Sequence, residues 1–264
     1  MDLCRATVRD MRAELERMPT RAERELVLGR GRGGDETTRI DDAAEQAAVR
    51  RLEALGLPGF TLVSEELGEK VFGKGGRTRV VLDPIDGSIN AKRGIPFFSV
   101  SLAVADGGRM SDVFFGYVYD FGSGEEWTAR RGEGAWLNGE PLGAEKPKNE
   151  IELLSFEATE TLQIAKMAPS VVGLAKRLRI MGSLALSLCH LAAGRVDAVC
   201  SLKPARSIDV AAGQLLMHEV GLAIEFVDGG VSFLDSPLDL EQRSRIAAAG
   251  TKELCQALSD RLKS

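Results

Sequence analysis

The stretch VVLDPIDGSIN, residues 80–90, determines how the rest of this chain is interpreted. Its first three residues are apolar and predict a buried strand, and Asp83 and Asp86 follow directly at the end of that strand. Two neighbouring carboxylates repel each other, and burial adds a desolvation cost to each of them. We therefore expect a positive charge to lie against this strand end.

Acidic residues also stand at the ends of other predicted elements. Glu65 and Glu66 follow the β-branched run at residues 60–64, Asp209 opens a predicted helix, and Asp41 lies at the start of another. Strand ends that meet at one sheet edge form the usual ligand site of layered α/β proteins. Carboxylates that converge without histidine or cysteine partners are typical ligands of Mg²⁺.

Each of these motifs has a simpler interpretation when it is taken alone. The pair Asp83 and Asp86 would more often form a solvated turn, Glu65 a polar strand end, and Asp209 a helix N-cap. The combination and the order of the motifs, rather than any one of them, predict a metal site.

The residues after the strand add a phosphate-binding element. Pro84 lacks an N–H donor, so the Ile85 carbonyl is left to point outward as a further oxygen ligand. Gly87 and Ser88 can begin a helical turn whose N–H groups hold a phosphate, and the Ser88 hydroxyl can position a water. A metal, a phosphate cradle and a polarised water together indicate a phosphate-ester hydrolase.

Composition argues against several other classes of protein. The 264 residues include 34 Lys and Arg against 39 Asp and Glu, a net charge of −5 that argues against a general nucleic-acid binder. With only two histidines, a His-rich zinc site or a Ser-His-Asp triad is not expected, and four cysteines without a C-x-x-C pair suit reduced thiols. The charged N-terminus is not a signal peptide and no apolar run reaches 18 residues, so we expect a cytoplasmic protein without a membrane partner.

Strands and helices alternate along the chain, which predicts layered sheets between helices. A soft boundary near Pro147 would divide a half that carries the main acid motifs, residues 1–147, from a half that carries Asp209, residues 148–264, within one compact unit. Residues 161–177 are predicted to be helical. The Gly-rich segment 29–38 is predicted to be a loop, and two interpretations stay open, a surface linker or a lid over the site.

The order VSEE (63–66), DPIDGSIN (83–90) and SIDVAAG (207–213) resembles the inositol monophosphatase family of Mg²⁺-dependent, lithium-sensitive phosphatases. Further matches are TRID (38–41), IPFFSVSLAV (95–104), WTARRGEGAWLNG (127–139) and GSLALSLCHLAAGRVDA (182–198). The resemblance spans residues 30–250, and the Gly-rich segment before TRID is similar to the archaeal-type bifunctional branch. It implies the sugar-phosphatase fold, a five-layered αβαβα sandwich of the α/β class, and hydrolysis of fructose 1,6-bisphosphate or inositol 1-phosphate.

The resemblance also implies a role for each matching residue. Two to three Mg²⁺ ions, or Mn²⁺ as an alternative, would be held by Glu65, Asp83, the Ile85 carbonyl, Asp86 and Asp209. The Gly87 and Ser88 amides would bind the phosphate, and Gly182 and Ser183 would line the substrate pocket. Asp41 would accept a hydrogen bond from Ser88, whose oxygen orients the attacking water, with no covalent enzyme intermediate.

Three positions depart from the family pattern. Ser88 replaces the commoner threonine and keeps the hydroxyl, and Ile208 replaces a tryptophan. Leu202 stands where many inositol monophosphatases have a glutamate that contacts inositol hydroxyls, which argues against strict inositol phosphate specificity. Lys203 and Arg206 would instead meet the second phosphate of a sugar bisphosphate. For Arg206, a salt bridge to one of the site acids is an equal alternative.

Other functions remain open at this point. The substrate would be a small sugar or inositol phosphate; alternatives are histidinol phosphate or a 3′-phosphonucleotide such as 3′-phosphoadenosine 5′-phosphate. A catalytically inactive binding or scaffold homologue is the alternative of another class, against which the complete acid set argues. The resemblance, and the frequency of two-fold dimers, predict a homodimer.

Overall fold

A computed structural model describes residues 1–34, 36–56, 58–157 and 160–263 of the chain. Within those residues the helices, numbered in chain order, are α1 Asp2–Glu16, α2 Arg21–Arg24, α3 Arg39–Ala54, α4 Ser88–Arg93, α5 Thr161–Met167, α6 Leu184–Ala192, α7 Ser207–Glu219 and α8 Lys252–Lys263. The strands are β1 Val27–Arg30, β2 Glu36–Thr38, β3 Gly59–Ser64, β4 Gly68–Gly73, β5 Arg79–Asp86, β6 Ser99–Ala105, β7 Val113–Asp120, β8 Glu126–Arg130, β9 Gly134–Leu137, β10 Glu140–Pro141, β11 Ile151–Glu157, β12 Ala175–Arg179, β13 Ala198–Ser201, β14 Ala223–Phe226 and β15 Ile246–Ala249.

Strand β5 lies inside an eight-stranded sheet of order β10-β9-β8-β7-β6-β5-β3-β4. It runs parallel to β3 and antiparallel to β6. Side chains alternate across a strand, and here both faces are covered: Val80 and Leu82 pack with α1 and α3, whereas Val81 packs with α6 and α7. Helices on both faces explain why this strand reads as an uninterrupted apolar run.

The second sheet has five strands in the order β12-β11-β13-β15-β14. Helices α6 and α7 lie between the two sheets, and the cluster around them includes Val199 of β13 and Ala248 of β15. The outer face of this sheet is covered by α8 and by part of α5, through side chains such as Leu258 and Ile164. The layers therefore run α1/α3, first sheet, α6/α7, second sheet, α5/α8, and the five-layered αβαβα prediction is confirmed.

The two sheets fall on either side of residue 147, but the halves share a core. Helix α7, from the second half, packs against β5, β6, β7 and β8 of the first half. The predicted division at residues 1–147 and 148–264 therefore describes the placement of the sheets, and it remains a prediction as a domain boundary.

The predicted helix at residues 161–177 is wrong beyond Met167. Residues Ala168–Val171 form a 3₁₀ turn that contains Pro169, and Gly173 has φ +81°. The chain then forms β12, which pairs in parallel with β11. Proline and a left-handed glycine end the helix, and pairing with β11 turns the next residues into a strand.

The Gly-rich segment 29–38 is not a free loop. Strands β1 and β2 form a small antiparallel hairpin, and Asp35 lies outside the described residues. The N–H groups of Arg32 and Gly33 donate to the carbonyls of Glu66 and Glu65 at 3.1 and 2.8 Å. The segment therefore lies directly on the strand end that carries the predicted metal ligand Glu65.

Two smaller predictions concern the cysteines and the membrane. Cys4, Cys189, Cys200 and Cys255 are all free and buried, as expected for reduced thiols. In the described part of the chain, every helix is too short or too polar to cross a bilayer.

Candidate active site

The predicted acids meet at one edge of the first sheet because of the register between β3 and β5. Ser64 pairs with Leu82, so Glu65 and Asp83 follow side by side where the pairing between β3 and β5 ends. The β5–β6 ladder is irregular between Asp83 and Asp86, where Pro84 interrupts it. Asp83 is 2% exposed and Asp86 9%, so this edge carries carboxylates that water hardly screens.

The positive charge that the sequence predicts at this edge is the guanidinium of Arg206. Its Nη2 lies 2.7 Å from Glu65 Oε1 and 3.4 Å from Asp209 Oδ1, and its side chain is 8% exposed. Arg206 precedes α7, and its backbone N–H donates to Asp209 Oδ2 at 2.6 Å, which fixes the start of the helix. Of the two interpretations of Arg206, the salt bridge to the site acids is the one the structure contains.

One guanidinium does not neutralise the whole cluster. Burial, followed by the charges of Glu65, Asp86 and Asp209, raises the pKa of Asp83 well above its usual value. Burial and the charge of Asp209 raise the pKa of Asp86 to about 7, against a hydrogen bond from Ser183 that lowers it. The fold thus concentrates more negative charge here than Arg206 balances.

The chemistry of the donors suits a hard cation. Glu65, Asp83, Asp86 and Asp209 offer only oxygen, and burial, followed by the charges of neighbouring carboxylates, raises the pKa of Asp83 and Asp86. Within residues 1–34, 36–56, 58–157 and 160–263, no three His, Cys, Asp or Glu side chains lie close enough together to hold a metal ion. In this arrangement Arg206 contacts both Glu65 and Asp209, and its guanidinium is the positive charge beside these two carboxylates.

Gly182 and Ser183, the predicted substrate-pocket residues, lie against the predicted phosphate-binding turn. The Asp86 carboxylate accepts hydrogen bonds from the Ser183 hydroxyl and from the Ala185 N–H, the latter at 2.8 Å. Gly87 has φ +93°, and a Cβ there would lie 3.0 Å from the Gly182 carbonyl oxygen. Glycine is therefore required at position 87 both by backbone conformation and by close approach.

Ser88 does not make the predicted hydrogen bond to Asp41. Its Oγ donates to the Ile85 carbonyl at 2.9 Å. Asp41 caps α3 instead: its Oδ2 accepts from the N–H and the Oγ1 of Thr38, at 3.2 and 2.5 Å, while its Oδ1 is buried without a hydrogen-bond partner. The acceptor that the prediction needs is present, but the Ser88 hydroxyl is turned away from it.

The two residues at the entrance to α7 differ in their surroundings. Leu202 is 5% exposed and belongs to the core beneath the second sheet, so it offers no polar contact to a substrate. Lys203 is exposed in the segment between β13 and α7. The contact of Lys203 to a second phosphate stays a prediction.

Two charged residues near the site were not predicted from the sequence. Glu157, at the end of β11, accepts hydrogen bonds from the N–H groups of Met181 and Gly182, the latter at 2.8 Å, and so holds the predicted pocket segment from β11, while Asp86 holds it from β5. Lys92 contacts Asp41. Lys92 had a sequence signal, its spacing of four residues from Ser88 on a helix, whereas Glu157 reaches its partners only through tertiary pairing.

Comparison with known proteins identifies the family of this chain. The model of the inositol monophosphatase family matches residues 3–263. A fructose-1,6-bisphosphatase/inositol-1-monophosphatase of Archaeoglobus fulgidus is 36% identical over 92% of this chain and 90% of its own length. A Nus factor SuhB of Pasteurella multocida is 35% identical over 87% of this chain and 86% of its own length.

Solved structures lead to the same family. The crystal structure of an inositol monophosphatase-fructose 1,6 bisphosphatase has a TM-score of 0.83 and 28% identity, and the match covers 98% of both chains. The family resemblance of the motifs around Asp83, Glu65 and Asp209 is therefore confirmed: the chain belongs to the inositol monophosphatase family, whose phosphatases are metal-dependent, generally on Mg²⁺.

Proposed function

We propose that this protein is a Mg²⁺-dependent phosphate monoester hydrolase that acts on fructose 1,6-bisphosphate and inositol 1-phosphate. The observation that carries the proposal is the convergence of four carboxylates, in which burial and the neighbouring carboxylates raise the pKa of Asp83 and Asp86, beside the Gly87–Gly182 contact. Relatives named for both activities, such as the one from Archaeoglobus fulgidus, support the choice of substrates.

Glu65, Asp83, Asp86, Asp209 and the Ile85 carbonyl would hold the ions, because they are the oxygen donors at this edge. Bound divalent ions supply charge neutralisation at the phosphate ester and a more acidic water. We propose that two to three Mg²⁺ ions bind here and that Mn²⁺ can substitute for them.

The remaining steps belong to the protein's own groups. The first turn of α4 leaves N–H groups without intrahelical acceptors, so the amides at Gly87 and Ser88 can bind the substrate phosphate. We propose that the Ser88 side chain undergoes a rotation away from the Ile85 carbonyl and donates to Oδ1 of Asp41, which is buried without a partner. The same rotation would release a lone pair of the Ile85 carbonyl for a cation, and the Ser88 oxygen would then orient the attacking water.

Substrate choice rests on the segment before α7. Leu202 is buried and apolar where an inositol-binding carboxylate would be needed, and Lys203 beside it is exposed. A sugar bisphosphate gains a cationic contact from Lys203 that an inositol monophosphate does not need. Arg206 would contribute to the second phosphate only by leaving its ion pairs with Glu65 and Asp209.

The experiment is a comparison of phosphate release from fructose 1,6-bisphosphate and inositol 1-phosphate with Mg²⁺, with Asp83→Asn as the blank. Turnover of both substrates supports the bifunctional assignment. Turnover of inositol 1-phosphate alone would show that Leu202 is tolerated and that the substrate argument is wrong. Turnover of neither would direct attention to histidinol phosphate and 3′-phosphoadenosine 5′-phosphate.

A second candidate function, a binding or scaffold role, is favoured by one observation, the relatives named Nus factor SuhB. The complete acid set at the site argues for catalysis in addition to any such role. We also propose a homodimer, supported by the exposed apolar side chains of Leu26, Val27 and Leu28, each more than half exposed. Light scattering after size-exclusion chromatography tests it.

A further inference from the structure

Lys92 is a cation beside the proposed catalytic residues that has no role in the mechanism above. It lies in the last turn of α4, four residues after Ser88, and residues at that spacing share one face of a helix. Its Nζ is 3.2 Å from Asp41 Oδ2, with side chains 17% and 6% exposed. The face of α4 that carries Ser88 therefore also delivers a charge to Asp41.

The contacts of Asp41 divide between its two oxygens. Oδ2 accepts hydrogen bonds from Thr38 and the ion pair from Lys92, whereas Oδ1 is buried without a partner. A carboxylate that is held through one oxygen by three donors has its plane and its rotation fixed. The second oxygen, Oδ1, is then the one that stays available as an acceptor.

We propose that Lys92 is a positioning residue for Asp41: it supplies the counter-charge and fixes the carboxylate so that Oδ1 is the acceptor for the Ser88 hydroxyl. The inference rests on the proposed function, in which Ser88 and Asp41 together orient the attacking water. Lys92 acts through Asp41 and does not contact the substrate. Its effect should therefore fall on turnover and not on substrate binding.

The competing role for a lysine at this place is a direct contact to the substrate phosphate. Such a contact is made in the ground state as well as in the transition state, so its loss would raise KM. The 3.2 Å ion pair with a buried carboxylate engages the ammonium before substrate arrives, which favours the positioning role. A loss in kcat with unchanged KM would indicate the positioning role, whereas a raised KM would indicate the direct contact.

The test uses Lys92→Met, Lys92→Gln and Lys92→Arg in the full-length protein with saturating Mg²⁺. Arg93→Met is the matched control, because Arg93 is the next cation of the same helix and is exposed. Hydrolysis of p-nitrophenyl phosphate gives a readout that does not depend on the physiological substrate, and both proposed substrates are measured beside it. Thermal melting of each variant verifies the fold.

Loss of a charge-assisted contact of this kind should lower kcat on the order of tenfold to a hundredfold in Lys92→Met and Lys92→Gln. KM should stay within about twofold, Lys92→Arg should recover most of the turnover, and Arg93→Met should match the wild type. A raised KM with unchanged kcat, or equal losses in the Met and Arg variants, would overturn the proposal.

Failure of the proposed function gives a different pattern. A wild-type protein that hydrolyses p-nitrophenyl phosphate but neither natural substrate would overturn the substrate assignment and leave the Lys92 comparison intact. A wild-type protein that hydrolyses none of the three would overturn both proposals.

Discussion

Replacement of Arg206 by methionine should strongly destabilise the metal-free protein. The guanidinium is 2.7 Å from Glu65 Oε1 and 3.4 Å from Asp209 Oδ1, and all three side chains are at most 15% exposed. Burial opposes the charge of Arg206, yet Asp209 and Glu65 together raise its pKa, so the cation stays charged at every accessible pH. Removing one member of a buried ion pair costs about 3–5 kcal/mol, because the remaining charges lose their counter-charge.

The Coulomb term gives the same order of magnitude. At the effective dielectric constant of about 20 that suits such sites, two unit charges at ~4 Å interact by about 4 kcal/mol. Met keeps the aliphatic volume of Arg206, so the loss should come from charge and not from a cavity. Chemical denaturation in EDTA, at neutral pH, measures the free energy of unfolding of both proteins.

The second half of this experiment measures the free energy of unfolding of both proteins with Mg²⁺ in place of EDTA. If the cluster binds divalent cations, Mg²⁺ should stabilise Arg206→Met more than it stabilises the wild type, because the variant lacks the internal cation. Arg206→Lys should be intermediate. A variant that is as stable as the wild type in EDTA, or that gains no more from Mg²⁺, would show that Arg206 is not the counter-charge of this cluster.

Three further predictions concern Glu45, Gly87 and Glu157. Burial raises the pKa of Glu45 from 4.5 to about 7, so between these pH values the folded state binds a proton that the unfolded state has released. The free energy of unfolding should therefore fall by about 3 kcal/mol as pH rises through this window. Glu45→Gln should flatten that slope in denaturation experiments at pH 4 to 8. Gly87→Ala should lower both stability and kcat, whereas the control Gly139→Ala, at φ +87° with open space around the added methyl, should cost only the backbone term of about 1–2 kcal/mol in melting experiments. Glu157→Ala should leave the Gly182 N–H without its acceptor and reduce the free energy of unfolding by about 1–3 kcal/mol; an unchanged denaturation midpoint would show that the contact is not formed.

The fold could be predicted from the sequence wherever a local pattern of residues is compatible with only one structure. The apolar run at residues 80–82 needs cover on both faces, and amphipathic or apolar helices before and after it in the chain provide that cover. The pattern of residues 161–177 is compatible with more than one structure. Their helical spacing competed with Pro169, Gly173 and a pairing to β11, which is 24 residues away between Ile151 and Ala175.

The site was predictable in its residue types but not in its contacts. Glu65, Asp86 and Asp209 lie near enough for their charges to act on Asp83, because strand ends and helix starts converge in this layered architecture, but no three of these four acids close on one ion. The group that balances the negative charge of these acids was ambiguous, since the sequence could not show whether Arg206 would point at the acids or at a substrate. Nor could local spacing show that the Ser88 hydroxyl would turn to the Ile85 carbonyl.

Positioning residues escape sequence reasoning for a related reason. Glu157 and Gly182 are 25 positions apart and meet only because β11 and the segment before α6 lie together in the second sheet layer. Lys92 and Asp41 are separated by 51 positions, the difference of their residue numbers. A carboxylate held by distant donors has no signature in the residues around it.

Calorimetric titration of Mg²⁺ in the presence of inorganic phosphate tests most directly whether the carboxylates around Asp83 bind divalent cations. We expect saturable binding to the wild-type protein at two or more sites and loss of that binding in Asp83→Asn, with the fold retained in thermal melting. Absence of Mg²⁺ binding to the wild type, or equal binding to Asp83→Asn, would mean that these carboxylates are not a metal site.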